Sequence, residues 1–153
     1  MGFLYFIFLV FGAADIIIFH SVWWMPILFI SLLPFIFIFG SRQLVWFSFT
    51  VSSLTLWLLS GLNLGIVVFS FGIMLLFEKW ITSKLLNKDA WQTFIASSVG
   101  ILVFGMFLFT LSYFLDSSKL IFSELGALNL LFSAVLSVLL MYPLRRLFYV
   151  NKK

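Results

Sequence analysis

Hydrophobic and polar positions in this chain do not alternate; they fall into long apolar runs divided by short polar breaks. The runs cover about residues 2–19, 22–40, 44–60, 64–81, 92–114 and 126–144. The breaks fall at His20-Ser21, at Gly40-Ser41-Arg42-Gln43, at Ser60-Gly61-Leu62-Asn63, at the charged stretch 82–91 and at 115–125. Each run is close to the ~20 residues that an α-helix needs to cross the hydrocarbon of a bilayer. The ten-residue alternation of a membrane β-barrel is missing. The pattern therefore predicts an all-α integral membrane protein, with about six transmembrane helices in a single polytopic domain over residues 1–153.

Most breaks are too short to hold structure of their own. The stretch 79–91, KWITSKLLNKDAW, is bounded by Trp80 and Trp91. Indole rings favour the headgroup region, so this stretch is expected to lie along the membrane interface. Lys and Arg concentrate in loops that stay in the cytoplasm. With an internal N-terminus, Arg42, Lys79, Lys84, Lys88, Arg145, Arg146, Lys152 and Lys153 all fall inside, and only Lys119 falls outside. An odd helix count would carry the C-terminal cations outside, so six helices and two cytoplasmic termini are expected. The opening MGFLYFIF lacks the basic region and cleavage pattern of a secretory signal and reads as a retained first helix.

Composition sharpens this picture. The chain is 64% hydrophobic and 9% charged, against roughly 25% charged residues in soluble domains. Its net charge of +4 comes from cations placed between the apolar runs and at the C-terminus, as membrane topology demands, so nucleic acid is not an expected partner. The partner implied directly is the lipid bilayer, and the 22 Phe suit surfaces that face it. There is no cysteine and one histidine, His20. A metal site needs further ligands at helical spacing, and a nucleophilic serine needs a base with an orienting acid; neither pattern occurs. Phosphate-cradling G-x-x-x-x-G-K-[ST] loops are absent too. No catalytic residue, cofactor or metal is expected.

In lipid, helices associate where small residues allow close approach and where hydroxyls hydrogen-bond across the interface. Ser48, Ser52 and Thr55 share one face of the run 44–60. Gly61, Gly65 and Gly72 do so at 64–81, Ser98, Gly105 and Ser112 at 92–114, and Gly126, Asn129, Ser133 and Ser137 at 126–144. These stripes predict that the last four runs form the tightly packed part. Internal packing is their commonest use, and a seat for a partner's helix is the alternative. For Gly61 and Gly65 the expectation is sharper. Gly61 should adopt the positive φ that ends the helix before it, and Gly65 should let the helices on either side approach. Leu or Ile at Gly65 should then push them apart, while the same change at Ile66 or Val67 should be tolerated.

Ionisable residues inside a span are costly and often functional. Asp15 is one, four residues before Phe19. It is expected to be a shallow, hydrogen-bonded or snorkelling carboxylate, with an ion relay as the alternative, and Asp15→Asn to leave folding and function intact. Glu78 beside Lys79 is expected to end its helix at the cytoplasmic face, solvated. Pro26 suits a first helical turn, Pro34 should kink the run 22–40, and Pro143 lies near the end of the last run.

Leu56-Trp57-Leu58-Leu59-Ser60-Gly61-Leu62-Asn63-Leu64-Gly65-Ile66, with the run that follows to Ile81, resembles the central signature of the bacterial rod shape-determining protein MreD. In that family a helix ends in Ser-Gly, a short turn reaches Leu-Gly, and the next helix follows directly. Pro26 stands where the family often opens its second helix, and Met141-Tyr142-Pro143-Leu144-Arg145-Arg146-Leu147 is similar to its basic exit. The family commonly carries an Asp four residues before the Gly of Ser-Gly; here that position is Trp57. The resemblance implies a non-enzymatic, multi-pass scaffold of the bacterial cytoplasmic (inner) membrane. It would bind the single-span protein MreC and act with the peptidoglycan-synthesising complex in cell elongation.

A second class stays open. Small six-helix bundles also serve as substrate-binding subunits of energy-coupling-factor vitamin transporters, and Asp15, His20, Trp23, Trp24 and Asn63 all fall near the expected outer face. The alanines four apart of that family's first helix have no clear counterpart in Gly12-Ala13-Ala14.

Overall fold

The computed structural model describes residues 27–85, 90–115 and 124–150, together with 6, 9, 10 and 12–14. The described residues form helices throughout, apart from the breaks at 40–41 and 61–63. Five helices follow in order: α1 (Ile27–Phe39), α2 (Arg42–Ser60), α3 (Leu64–Leu85), α4 (Ala90–Leu115) and α5 (Glu124–Val150). The isolated described positions between 6 and 14 are helical as well. The chain is thus all-α, and Arg42–Ser60, Leu64–Lys84 and Phe94–Leu115 are each long and apolar enough to cross a membrane. Ile30–Phe39 and Leu128–Leu140 are shorter apolar helical stretches.

Local chemistry explains where the helices begin and end. Gly40 donates its amide to the Ile36 carbonyl at 2.8 Å, closing α1. Ser41 then takes an extended conformation and accepts from the Leu44 amide at 3.3 Å, satisfying one of the donors that every helix start leaves open. Gly61 ends α2 at φ 67°, ψ 7°, with its amide donating to the Trp57 carbonyl at 3.1 Å. This is the left-handed helix cap that only glycine adopts without steric cost. The Asn63 side-chain oxygen accepts from the Gly65 amide at 2.8 Å and its carbonyl from Ile66 and Val67, so α3 starts at once. The positive φ expected of Gly61 is what the structure has.

The packing order departs from expectation. The closest associations are α3 with α4, α4 with α5, and α5 with α1, and α1 also touches α2, α3 and α4. Helix α1 is therefore the central one, and every residue from Ile30 to Phe37 is buried. Helix α2 packs less extensively on its neighbours than α3, α4 and α5 do on one another. The small-residue stripes missed α1 because it carries a single hydroxyl, Ser31, among bulky residues. Helix α1 continues through Pro34 and α5 through Pro143.

Two further expectations are corrected. Residues 79–85 continue α3, and α4 begins at Ala90, so only 86–89 separate them outside the described residues; most of the supposed interfacial stretch extends the flanking helices. Phenylalanine is also not reserved for the surface. Phe35, Phe71 and Phe104 are among the largest fully buried side chains, and Phe71 stacks on Phe104 with ring centroids 4.3 Å apart.

Candidate functional site

The bundle interior holds serines, an asparagine and a glutamate, and the polar side chains there are of three kinds. Ser52, Ser53, Ser70 and Ser97 each return their hydroxyl to a carbonyl of the preceding turn, on Ser48, Phe49, Ile66 and Phe94. A hydroxyl satisfied this way can face an apolar neighbour at little cost. These serines therefore act as small residues.

A second group ties helices together. Ser31 donates to the Ser133 carbonyl at 3.1 Å, joining α1 to α5. Ser98 lies between the carbonyls of Phe94, 3.2 Å away on its own helix, and Ala134, 3.4 Å away on α5. Nearby, a side chain at Gly105 would run into Leu130, whose Cγ lies 3.0 Å from where a Cβ would stand. Missing atoms at Gly105 make room for Leu130, which is how small residues close a membrane bundle.

The third group is buried without a hydrogen-bond partner among the described residues: Ser48, Ser112, Ser137, Asn129 and Glu78. Glu78 has no exposed surface. Against it lies Gly100 of α4, where a Cβ would stand only 2.8 Å from the carboxyl carbon. The expectation of a solvated helix end at Glu78 is thus overturned: α3 runs on to Leu85, and the neighbouring helix encloses the side chain. Lys79 and Trp80, the next two residues, are exposed. Helical geometry turns each residue by about 100° from the last, so adjacent positions meet opposite surroundings.

The paired contacts set the register of this layer. Phe71 meets Phe104 while Glu78 meets Gly100, and Ser98 meets Ala134 while Gly105 meets Leu130. Numbers rise on one helix as they fall on the next, so α3, α4 and α5 are antiparallel in turn. Glu78, Gly100, Ser98, Ser133 and Ser31 consequently occupy one level of the bundle. The stripes contained Ser98 and Ser133 but passed over Ser31, Gly100 and Glu78. A signal for Gly100 was present: it sits two residues after the Ser97-Ser98 pair, and only its alignment with an acid on another helix gives it meaning.

The remaining residues singled out from the sequence are spread widely. Ser48, Ser52, Asn129 and Ser133 are buried as packing positions should be. Gly61 and Gly65 are exposed, and within this chain they do not bring α2 and α3 together. A Cβ at Gly61 meets nothing within 4 Å, and one at Gly65 meets only the Asn63 side-chain oxygen at 3.1 Å. Gly72 also has open space where its side chain would be. The reason is that a tight turn joins the two helices, so the cap glycines are held by the turn's own hydrogen bonds and face outward. Ile66 and Val67 are the residues at this end that turn inward, at 5% and 0% exposure. Asp15, His20, Trp23, Trp24 and Pro26 lie outside the described residues.

Beside the turn, Gly65, Ile66, Phe69, Leu111 and Leu115 line an open groove of about 290 Å³. Its walls come from the start of α3 and the end of α4, and they are apolar. Phe69, Leu115 and the nearby Phe114 stand out from the bundle surface.

Comparison of the chain with protein-family models, with curated proteins and with solved structures finds no match.

Proposed function

We propose that this chain is a non-enzymatic, multi-pass scaffold of the bacterial cytoplasmic membrane, of the MreD kind, with both termini in the cytoplasm. The observation that carries the reading is the groove beside the Ser60-Gly61 turn. Gly65 supplies no side chain there, and Ile66, Phe69, Leu111 and Leu115 give it apolar walls at a helix end. A transmembrane helix of a partner gains contact in such a place because the missing side chain lets backbones approach. The turn itself has the form that the resemblance requires: a helix ending in Ser-Gly, a glycine cap, and an immediate second helix. A small-molecule site, by contrast, needs convergent polar groups. The polar side chains at the turn serve the turn itself: Ser60 donates to the Leu56 carbonyl and accepts from the Leu62 amide, and the Asn63 side-chain oxygen caps α3.

The occupant implied is the single membrane-spanning helix of an MreC-like protein, through which the scaffold would serve peptidoglycan synthesis during elongation. Photo-crosslinking tests this reading. With a photoreactive residue at Phe69 and an MreC-like protein of the same organism co-expressed, a crosslink between the two is expected, together with its loss at Val51 on α2. A crosslink to lipid alone at Phe69 sinks the proposal.

A further inference from the structure

The scaffold reading leaves Glu78 unused, and its surroundings are unlike those of a structural carboxylate. Such a group normally pairs with a cation or collects several donors, because enclosing an unpaired carboxylate costs several kcal/mol or more. Among the described residues Glu78 has neither: both oxygens are enclosed and neither meets a donor. The charged residues near it in sequence, Lys79 and Lys84, are exposed on other faces of α3, and Arg42 is exposed at the start of α2. No charged residue occurs in α1, in α4 or between 125 and 144 of α5. What faces Glu78 is Gly100, whose missing side chain leaves just the space that the carboxyl fills. At the same level stand the hydroxyls of Ser31 and Ser98, with Ser137 one turn beyond Ser133 on α5, buried and without a hydrogen-bond partner. An acid kept inside a membrane bundle at such cost is a functional group by default, and the question is what cancels its charge.

We propose that Glu78 is a proton-binding site: an enclosed carboxyl that carries one exchangeable proton in the notch at Gly100, between α3 and α4. With the proton bound, the carboxyl is a neutral filler of that notch. Without it, a bare charge stands in the interface and the two helices part beside Gly100. The site goes beyond the scaffold reading and does not depend on it.

A membrane-soluble carbodiimide decides the matter, because it reacts with the acid form of a carboxyl. The carboxylic O–H adds across one C=N bond, and the acyl group then moves from oxygen to nitrogen, so the stable product keeps every atom of both reactants. Membranes containing the full chain are treated with N,N′-dicyclohexylcarbodiimide and the modified peptide is located by mass spectrometry. We expect the adduct on Glu78, none at that position in Glu78→Gln, and a reduced yield in Gly100→Ala, where the added methyl displaces the carboxyl. A water-soluble carbodiimide should label the site poorly. If Gly100→Ala fails to accumulate, the wild-type and Glu78→Gln pair alone is decisive. Absence of the adduct on wild-type Glu78 overturns the proposal. So does full protection by sodium ions at constant pH, which would make the site an alkali-ion site instead.

Discussion

The hydroxyl of Ser31 donates to the main-chain carbonyl of Ser133, 3.1 Å away and 102 positions further along the chain. Both residues are buried, and the bond joins the central helix α1 to α5. It is one of two side-chain hydrogen bonds among those described above that cross between helices, the other being Ser98 to Ala134. Most of the bundle is therefore held by shape, and substitutions that change shape should outweigh those that delete a hydroxyl.

Ser31→Ala should cost little. Interhelical hydrogen bonds in membrane bundles are worth on the order of 0.6 kcal/mol, and alanine fits the space. Ser31→Leu adds volume at a site with no surface exposed and should cost about 1–3 kcal/mol. Thermal unfolding of the detergent-solubilised variants measures both, and equal losses would mean that α1 is not tightly enclosed.

Gly105 and Leu130 should behave as a coupled pair. Gly105→Ala drives a methyl into the Leu130 side chain and should cost roughly 1–3 kcal/mol. Leu130→Ala leaves a cavity and should cost about 2–5 kcal/mol. In the double variant the new methyl enters the space that Leu130 vacated, so the combined loss should fall clearly below the sum. Additive losses would show that the two sites do not touch.

At the turn the expected ranking is the reverse of the one the glycine spacing suggests. Gly61→Ala forces a side chain into the left-handed region, at about 1–2 kcal/mol. Gly65→Leu faces outward and should stay within about 0.5 kcal/mol in the isolated chain. Val67→Leu overfills a closed interior and should cost about 1–3 kcal/mol. Stability is again the readout, and a Gly65→Leu loss larger than that of Val67→Leu would restore the packing role for Gly65.

Asn129 is fully buried, and among the described residues neither polar atom of its amide has a hydrogen-bond partner. Replacing an unsatisfied polar group by an apolar one of similar shape removes a penalty of about 1–3 kcal/mol. Asn129→Leu should therefore raise the thermal stability of the purified chain. A marked loss would show that the amide has a bonding role in the folded bundle.

Placing both termini in the cytoplasm makes a prediction about Lys153. A reporter active only outside the cytoplasm, fused after that residue, should remain silent. Strong activity there would overturn this placement, through either an odd number of crossings or an external N-terminus.

Run length was enough to read the helices: a helix that crosses lipid must satisfy its own backbone and stay apolar for a fixed distance, and both demands are local. Where their flanks are described, the helices accordingly start and stop within a few residues of the expected limits, apart from the extensions of α3 to Leu85 and α5 to Val150. Gly61 was legible for the same reason, since a cap is a property of one turn. Serine spacing also located Ser48, Ser52 and Ser133 inside the bundle, because a hydroxyl in a span seeks either its own helix or a neighbour.

What the sequence alone determined, then, is the all-α class and the approximate course of the described helices. Only the tertiary structure decided which helix is central, that Glu78 is enclosed, and that Gly65 looks outward while Val67 looks in. The physical reason is that an apolar helix in lipid is hydrophobic on every side. In a soluble protein the boundary between apolar and polar faces marks the core, but here Leu, Ile and Phe occupy the exposed surface as well as the interior. Inside and outside are then set by which surfaces fit together, such as Gly100 with Glu78 and Gly105 with Leu130, and fit between distant segments is not written in either segment by itself.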